Sequence, residues 1–441
     1  MMEKEELNRG FGLWSSLALV IGTIIGSGIF FKQGAVLQTA GSTSSALLAW
    51  LAGGILTLTA GMTVAEVGSQ MTETGGLYLY LTKLYGKTIG FLSGWMQVVF
   101  YGPAMMGAIA SYFGLLFTAL FNLPIAWSIP IGMVGLGFIG LVNSLPNTTS
   151  AFFQVVTTTI KLMPIIGLII FGLFFGQHDA LGQTVTSISN SHAGGFGVAV
   201  LATLFAYDGW VTLANISGEI KNPQKTLPKA IIYGLLVVIV AYVGVSFGTF
   251  SSLGGNEIVA YGNQATMHVA EAAFGLWGGR LLTLAILISL LGTLNGKVVS
   301  FPRVCYAMAK QGDFPFAKFF GSVHAKSKTP NGAIWLMIGI GYVMMWVTDP
   351  NKLTDYAVFI TFLFYILALV GCFILRHRDP KGEKRTFSMP LYPWIPIVAI
   401  LGSIYVEVSE IFNDLQGIAI SVIIVVLGLP VYYWLNHRKS K

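Results

Sequence analysis

The segment Leu19–Phe30, LVIGTIIGSGIF, sets Gly26, Ser27 and Gly28 side by side in the middle of an apolar run. Glycine costs a helix about 1 kcal/mol relative to alanine at each interior position, so the run is expected to unwind there. Unwinding frees backbone N–H and C=O groups, which at membrane depth are tolerated only where they line a protein cavity. The half-helix after the break offers free N–H donors and a partial positive charge, which suit a carboxylate. The carbonyls that end the preceding half-helix suit an ammonium. A second interruption, Asp208-Gly209, lies within GVAVLATLFAYDGWVTLANISGEI, and Lys161 is the one charge in FFQVVTTTIKLMPIIGLIIFGLFF. One small ligand carries both a carboxylate and an ammonium: an α-amino acid.

The elements that must position these groups are membrane spans. Of 441 residues, 54% are hydrophobic and 10% charged, with a mean hydropathy of +0.73. A soluble chain carries about 25% charged residues, so lipid is the expected surrounding. The polar start MMEKEELNRG is followed by an apolar run without a small-residue cleavage site, so the first span is expected to be retained. The net charge of +7 does not mark a nucleic-acid binder, because the charges sit in short loops between spans. Cys305 and Cys372 lie in or beside apolar runs, which argues against a disulfide framework. The His residues fall in loops or near span ends, so no metal site and no cofactor is expected.

A spanning helix needs about 20 mostly apolar residues. Twelve such segments predict an all-α integral membrane protein: 11–38, 43–68, 88–116, 125–144, 150–176, 194–218, 229–251, 280–309, 331–348, 354–376, 391–411 and 416–436. Lys and Arg gather on the N-terminal side, from Lys4 and Arg9 through Lys221, Lys310 and Lys384 to Lys441, against Lys32, Arg280 and Lys352 opposite. Both termini are therefore expected in the cytoplasm. The connection 252–279 is expected to carry a short helix on the outer surface. Spans one and six are the interrupted ones. They are five spans apart, which predicts two inverted halves of five, 1–176 and 194–376, with spans eleven and twelve (391–436) added.

GTIIGSGIF and FAYDGW resemble the two unwound motifs of the amino acid–polyamine–organocation superfamily. GEIKNPQKTLPKAI (218–231) and GKVVSFPRVCYAMAKQGDFP (296–315) resemble its loop and eighth-span signatures. The resemblance covers nearly the whole chain and is closest to the L-type amino acid transporter branch, which includes bacterial serine/threonine exchangers. It implies a 5+5 inverted-repeat (LeuT-like) fold and sodium-independent exchange of neutral amino acids across the plasma membrane. With small residues in both breaks, it favours Ala, Ser, Thr and Cys. It further implies that the amides of Ser27 and Gly28, beside Gly26, hold the carboxylate and that the Ile24 carbonyl holds the amine. Phe205 becomes a gate, and carbonyls of the Phe205, Ala206 and Asp208 turn complete the ammonium cage. Tyr242 is placed beside the site. Lys161 is placed where sodium-coupled relatives hold a cation, between spans one, five and eight. Animal light subunits carry a Cys between spans three and four that bonds a heavy subunit; FTALFNLPIAW has none, so no such partner is expected.

Other readings compete at single residues. Gly22 and Gly26 also form a GxxxG packing stripe. Asp208 suits either a carried proton or a helix break capped by local backbone N–H groups, and the second is preferred. Lys161 lies about eleven residues from the nearer end of its span, roughly 16 Å, too deep to snorkel. Asn295 fits a pocket or a packing role equally. Glu66, Glu219, Glu407 and Glu410 lie nearer span ends, as interfacial or gate residues. GVSFG (244–248) and GLGFIG (135–140) match enzyme motifs, but lie inside apolar spans without the strand–turn–helix context that the motifs need. No enzyme is expected. Nor is a channel, for want of repeated polar rings. A proton-coupled symporter using Asp208 or Lys161, and a substrate sensor of the same fold, are the remaining alternatives.

Overall fold

The computed structural model describes residues 7, 9–185, 195–383, 385–413 and 415–439; Lys4, His192, Lys384 and Lys441 lie outside them, as do the side chains of Lys352 and Glu410. The described residues form helices, with two isolated bridges, Phe11 to Ile220 and Ser42 to Thr184, and no strand among them. Nine of these helices are long and apolar enough to cross a membrane. Three shorter apolar helices, Phe196–Ala206, Asn331–Val347 and Trp394–Ser409, fall on the remaining apolar segments.

The first apolar run is three helices, α1 (Leu13–Ile24), α2 (Gly28–Phe31) and α3 (Gln33–Ala40). Then come α4 (Thr43–Gln70), α5 (Gly76–Tyr85), α6 (Lys87–Met96) and α7 (Gly102–Leu120), the last two joined by a π-helical turn at Gln97–Tyr101. α8 (Ser128–Ser144) and α9 (Asn147–Phe175) precede the second interrupted run, α10 (Phe196–Ala206) and α11 (Thr212–Asn215). After α12 (Pro223–Ser252), the connection read as one surface helix folds as two, α13 (Gly255–Tyr261) and α14 (Ala265–Phe274). The chain ends with α15 (Leu276–Lys310), α16 (Ala317–Phe320), α17 (Asn331–Val347), α18 (Pro350–Arg378), α19 (Trp394–Asn413), α20 (Leu415–Val426) and α21 (Gly428–Lys439). The GVSFG and GLGFIG strings lie inside α12 and α8.

Apolar side chains cover the outside and polar ones gather within, as a chain solvated by lipid requires. On α9, Phe152, Met163 and Phe174 are exposed while Gln154 and Lys161 are fully buried. Small residues let backbones touch: a Cβ on Gly172 of α9 would lie 2.2 Å from the Gly248 Cα of α12. No side chain fits that crossing. Gly172→Leu is therefore expected to lower the thermal midpoint of the purified protein by several degrees, measured by fluorescence-detected unfolding. Gly339→Ala, where a Cβ meets nothing within 4 Å, is expected to leave the midpoint unchanged or raise it slightly.

Candidate functional site

The two interruptions face each other at the centre of the bundle. α1 stops at Ile24, and Ile25 is extended, with φ −72° and ψ 97°. In the other break Gly209 has φ +121°, a conformation that side chains resist, and a Cβ there would lie 2.9 Å from the Thr23 carbonyl oxygen. Gly28 approaches Ala206 as closely, with 3.0 Å between an added Cβ and the Ala206 Cβ. The Tyr242 hydroxyl lies 3.2 Å from the Ile24 carbonyl and 2.9 Å from that of Ala206. Its single proton serves one of them at a time, so α12 clamps the ends of both broken helices.

The small residues of the first break do different jobs. At Gly22 a Cβ would lie 2.0 Å from Gln154 Nε2 and 2.4 Å from Thr158 Oγ1, so this glycine packs α1 on α9. At Gly26 the nearest atom, Thr293 Oγ1, is 3.6 Å away. Neither Gly26 nor Gly28 has a positive φ, so at these two positions glycine supplies space and not a special backbone angle. Among the described residues, the amides of Gly26, Ser27 and Gly28 donate to no protein acceptor. They border a cavity of ≈ 50 Å³, room for a few water-sized groups. Ile24, Gly26, Ser27, Gly28, Phe205, Ala206 and Asp208 all line it, with Met105, Ile109 and Leu290 as its apolar side. Tyr242 and Lys161 stand behind the lining.

Lys161 is fully buried. Its Nζ donates to the carbonyls of Gly22 (2.8 Å), Ile25 (2.6 Å) and Ser289 (3.1 Å), with Thr293 Oγ1 at 3.4 Å. These acceptors belong to the broken turn and to α15. Burying an ammonium in a span costs at least about 2.5–3.5 kcal/mol on insertion scales. A hydrogen bond from a charged donor returns about 1.5–3 kcal/mol, so three short ones are enough to hold it there.

Asp208 differs from its preferred reading. Among the described residues its carboxylate takes no backbone N–H; Oδ2 accepts from Tyr101 Oη at 2.9 Å and from Lys297 Nζ at 3.1 Å. The π-helical turn in the third span delivers Tyr101, as such turns often do at functional sites. Lys297 lines the cavity and lies 5.5 Å and 5.7 Å from the ring centres of Tyr101 and Phe301. Sequence reasoning missed Lys297 and Arg303. The depth argument that singled out Lys161 applies equally to Lys297, twelve residues inside the predicted span 280–309, whereas Arg303 lies nearer the end of that span.

One end of the bundle is closed by buried charge. Arg303 Nε donates to Glu219 Oε1 at 2.8 Å and Nη2 to Asn147 Oδ1 at 2.8 Å, while Asn147 Nδ2 donates back to Glu219. The backbone of Phe11 pairs with Glu219 and Lys221, which ties the segment before α1 to the same cluster. Glu66 binds Arg376 through two 2.7 Å bonds and accepts from the Met389 amide. In α5, burial above all and then the Asp313 carboxylate, 2.8 Å from its hydroxyl, push the Tyr78 phenol well up, so it remains a neutral donor. Asn295 does not line the cavity: it joins Asn143, Ser150 and Gln154, binding α15 to α8 and α9.

The chain belongs to the amino acid permease family, which it matches over residues 11–432. It is 46% identical to the serine/threonine exchanger SteT of Bacillus subtilis over 438 residues, 99% of each chain. It is 28% identical to the human cystine/glutamate transporter, covering 98% of this chain and 86% of that one. It is also 28% identical to the mouse Asc-type amino acid transporter 1, covering 100% and 83%. These relatives are membrane transporters, not enzymes.

Removing one partner of a buried ion pair costs about 3–5 kcal/mol. Asp208→Asn and Lys297→Met are each expected to lower exchange at least tenfold. The double variant is expected to recover part of the loss in thermal midpoint, read by the same unfolding assay. Gly26→Leu fills the cavity and is expected to remove amino acid uptake into proteoliposomes while the protein still inserts and remains monodisperse.

Proposed function

We propose that this amino acid permease exchanges small neutral L-amino acids, Ala, Ser, Thr and Cys, across the plasma membrane by alternating access and without sodium. One observation carries the reading: three unpaired amides at Gly26–Gly28 face a cavity whose other rim is formed by the carbonyl ends of two broken helices. The amides of Ser27 and Gly28 receive the carboxylate. The carbonyls of Ile24 and of the Phe205–Asp208 turn receive the ammonium, with Tyr242 orienting them. The walls of Met105, Ile109 and Leu290 leave room for a short side chain, in keeping with the substrates in the name of the Bacillus relative. Phe205, with Lys32 Nζ 5.5 Å from its ring centre, is the gate on the side away from the Arg303 cluster.

The architecture that fits is twelve spans with both termini cytoplasmic, arranged as inverted halves 1–176 and 194–376 plus the pair 391–436. Three of the twelve are the further apolar helices, α10, α17 and α19. Lipid is the only surrounding partner in this reading, and no disulfide-linked heavy subunit is called for. Sodium independence rests on Lys161, whose ammonium occupies the carbonyl cluster at Gly22 and Ile25 that a bound cation would otherwise fill. A proton symport through Asp208 is the weaker reading, because Lys297 already pairs with that carboxylate.

Counterflow of radiolabelled serine in proteoliposomes tests this. Uptake is expected to require internal substrate and to proceed equally in sodium-containing and sodium-free buffer. Serine methyl ester and N-acetylserine are expected not to compete, since each leaves a buried donor or acceptor unpaired at about 1–3 kcal/mol. A strict sodium requirement, or competition by either derivative as strong as by serine, would contradict the proposal.

A further inference from the structure

A second, larger cavity of ≈ 480 Å³ lies beyond the central one, and Tyr112 lines both. That volume lies in the range of small-molecule sites, about 300–1,000 Å³. Its walls come from α2, α7, α15 and the two-helix connector. Leu115, Leu116 and Met267 give it an apolar side, and Glu271 and Arg280 also line it. Thr266 Oγ1 donates to the Phe30 carbonyl at 2.9 Å, which fixes α14 against the half-helix that follows the first break.

The two charges are separate. Glu271 accepts from His268 Nδ1 at 3.1 Å, and its carboxylate rests on α15, where a Cβ on Gly279 would meet Oε1 at 2.7 Å. Arg280, the next residue, has no acid within ion-pair distance among the described residues; its guanidinium lies 5.5 Å from the ring centre of Trp277. An anion-seeking fork and a carboxylate therefore share a pocket with an apolar wall, without neutralising each other. This is the charge pattern of a zwitterion receptor.

We infer that the outer cavity is a second amino-acid site, a staging site in which Arg280 holds the carboxylate, Glu271 the ammonium, and Leu115, Leu116 and Met267 the side chain. The inference rests on the orientation and the central site proposed above. Both charges are partly exposed, so the site binds more weakly than the central one. Its greater volume admits branched and longer side chains that the central cavity excludes. Tyr112, between the two cavities, lies on the path from one to the other.

The test is equilibrium binding of radiolabelled leucine and serine to the full-length protein in lipid nanodiscs. Wild type is expected to bind serine in a strong and a weak phase and leucine in the weak phase alone. Arg280→Gln and Glu271→Gln are each expected to weaken the leucine phase at least tenfold, while Arg280→Lys retains most of it. Recognition of the separate ends gives a sharper readout. Leucine methyl ester should bind worse than leucine to wild type but equally to Arg280→Gln, and N-acetyl-leucine should show the same pattern with Glu271→Gln. A leucine phase unaltered in both variants, or derivatives that bind wild type as well as leucine does, would overturn the inference. Gly26→Leu separates the two sites. If it removes only the strong serine phase, both readings stand. If the strong phase survives, the central assignment fails while the outer site is judged on its own variants.

Discussion

The structure turns on one set of hydrogen bonds, those from the Lys161 ammonium to the carbonyls of Gly22, Ile25 and Ser289. A broken span in lipid leaves carbonyls that water cannot reach. A buried cation and those carbonyls satisfy each other, and neither is tolerable alone. Ser289 and Thr293 of α15 add hydroxyl donors to the same Ile25 carbonyl, both at 3.1 Å. The break is thus held from α9 and α15 on one side, while Tyr242 holds its other face from α12. Among the described residues, what is left unpaired is the run of amides at Gly26–Gly28.

The remaining charges arrange themselves around that break. Asp208 and Lys297 form a pair in the cavity wall, with Tyr101 completing the carboxylate's partners. Nearer one end, Arg303, Glu219 and Asn147 interlock three chain segments, and the backbone of Phe11 joins a fourth to them. Each cluster joins helices from both sides of the break, so moving the two sides apart must exchange these partners.

Much of this was legible in the sequence, for physical reasons. Consecutive small residues in an apolar run cannot be explained by one packing face, so Gly26, Ser27 and Gly28 announced the break. An Asp-Gly pair in another apolar run announced its partner, and a lysine eleven residues from the membrane edge had to find carbonyls. Other features were hidden. The preferred structural role of Asp208 was wrong in its partner, because a carboxylate's partner lies across the bundle and leaves no local trace. Lys297 and Arg303 were overlooked in a span rich in ordinary residues, although depth alone marked Lys297. The different duties of Gly22 and Gly26 depend on which side of α1 faces α9, and periodicity in a uniformly apolar helix does not reveal that. The connector was read as one helix, and its division in two was missed because its apolar residues are short in run and split by Gly262.

The Lys161 ammonium is the group expected to keep the broken turn in its binding conformation. The most direct measurement is serine affinity in sodium-free buffer for wild type and Lys161→Ala, by equilibrium binding in nanodiscs, with hydrogen exchange over residues 19–32 read on the same samples. Losing a charged donor to buried carbonyls is worth about 1.5–3 kcal/mol, so the variant should bind serine at least tenfold more weakly and exchange the amides of 19–32 faster. An unchanged affinity with unchanged exchange would contradict the claim that this one side chain holds the site open.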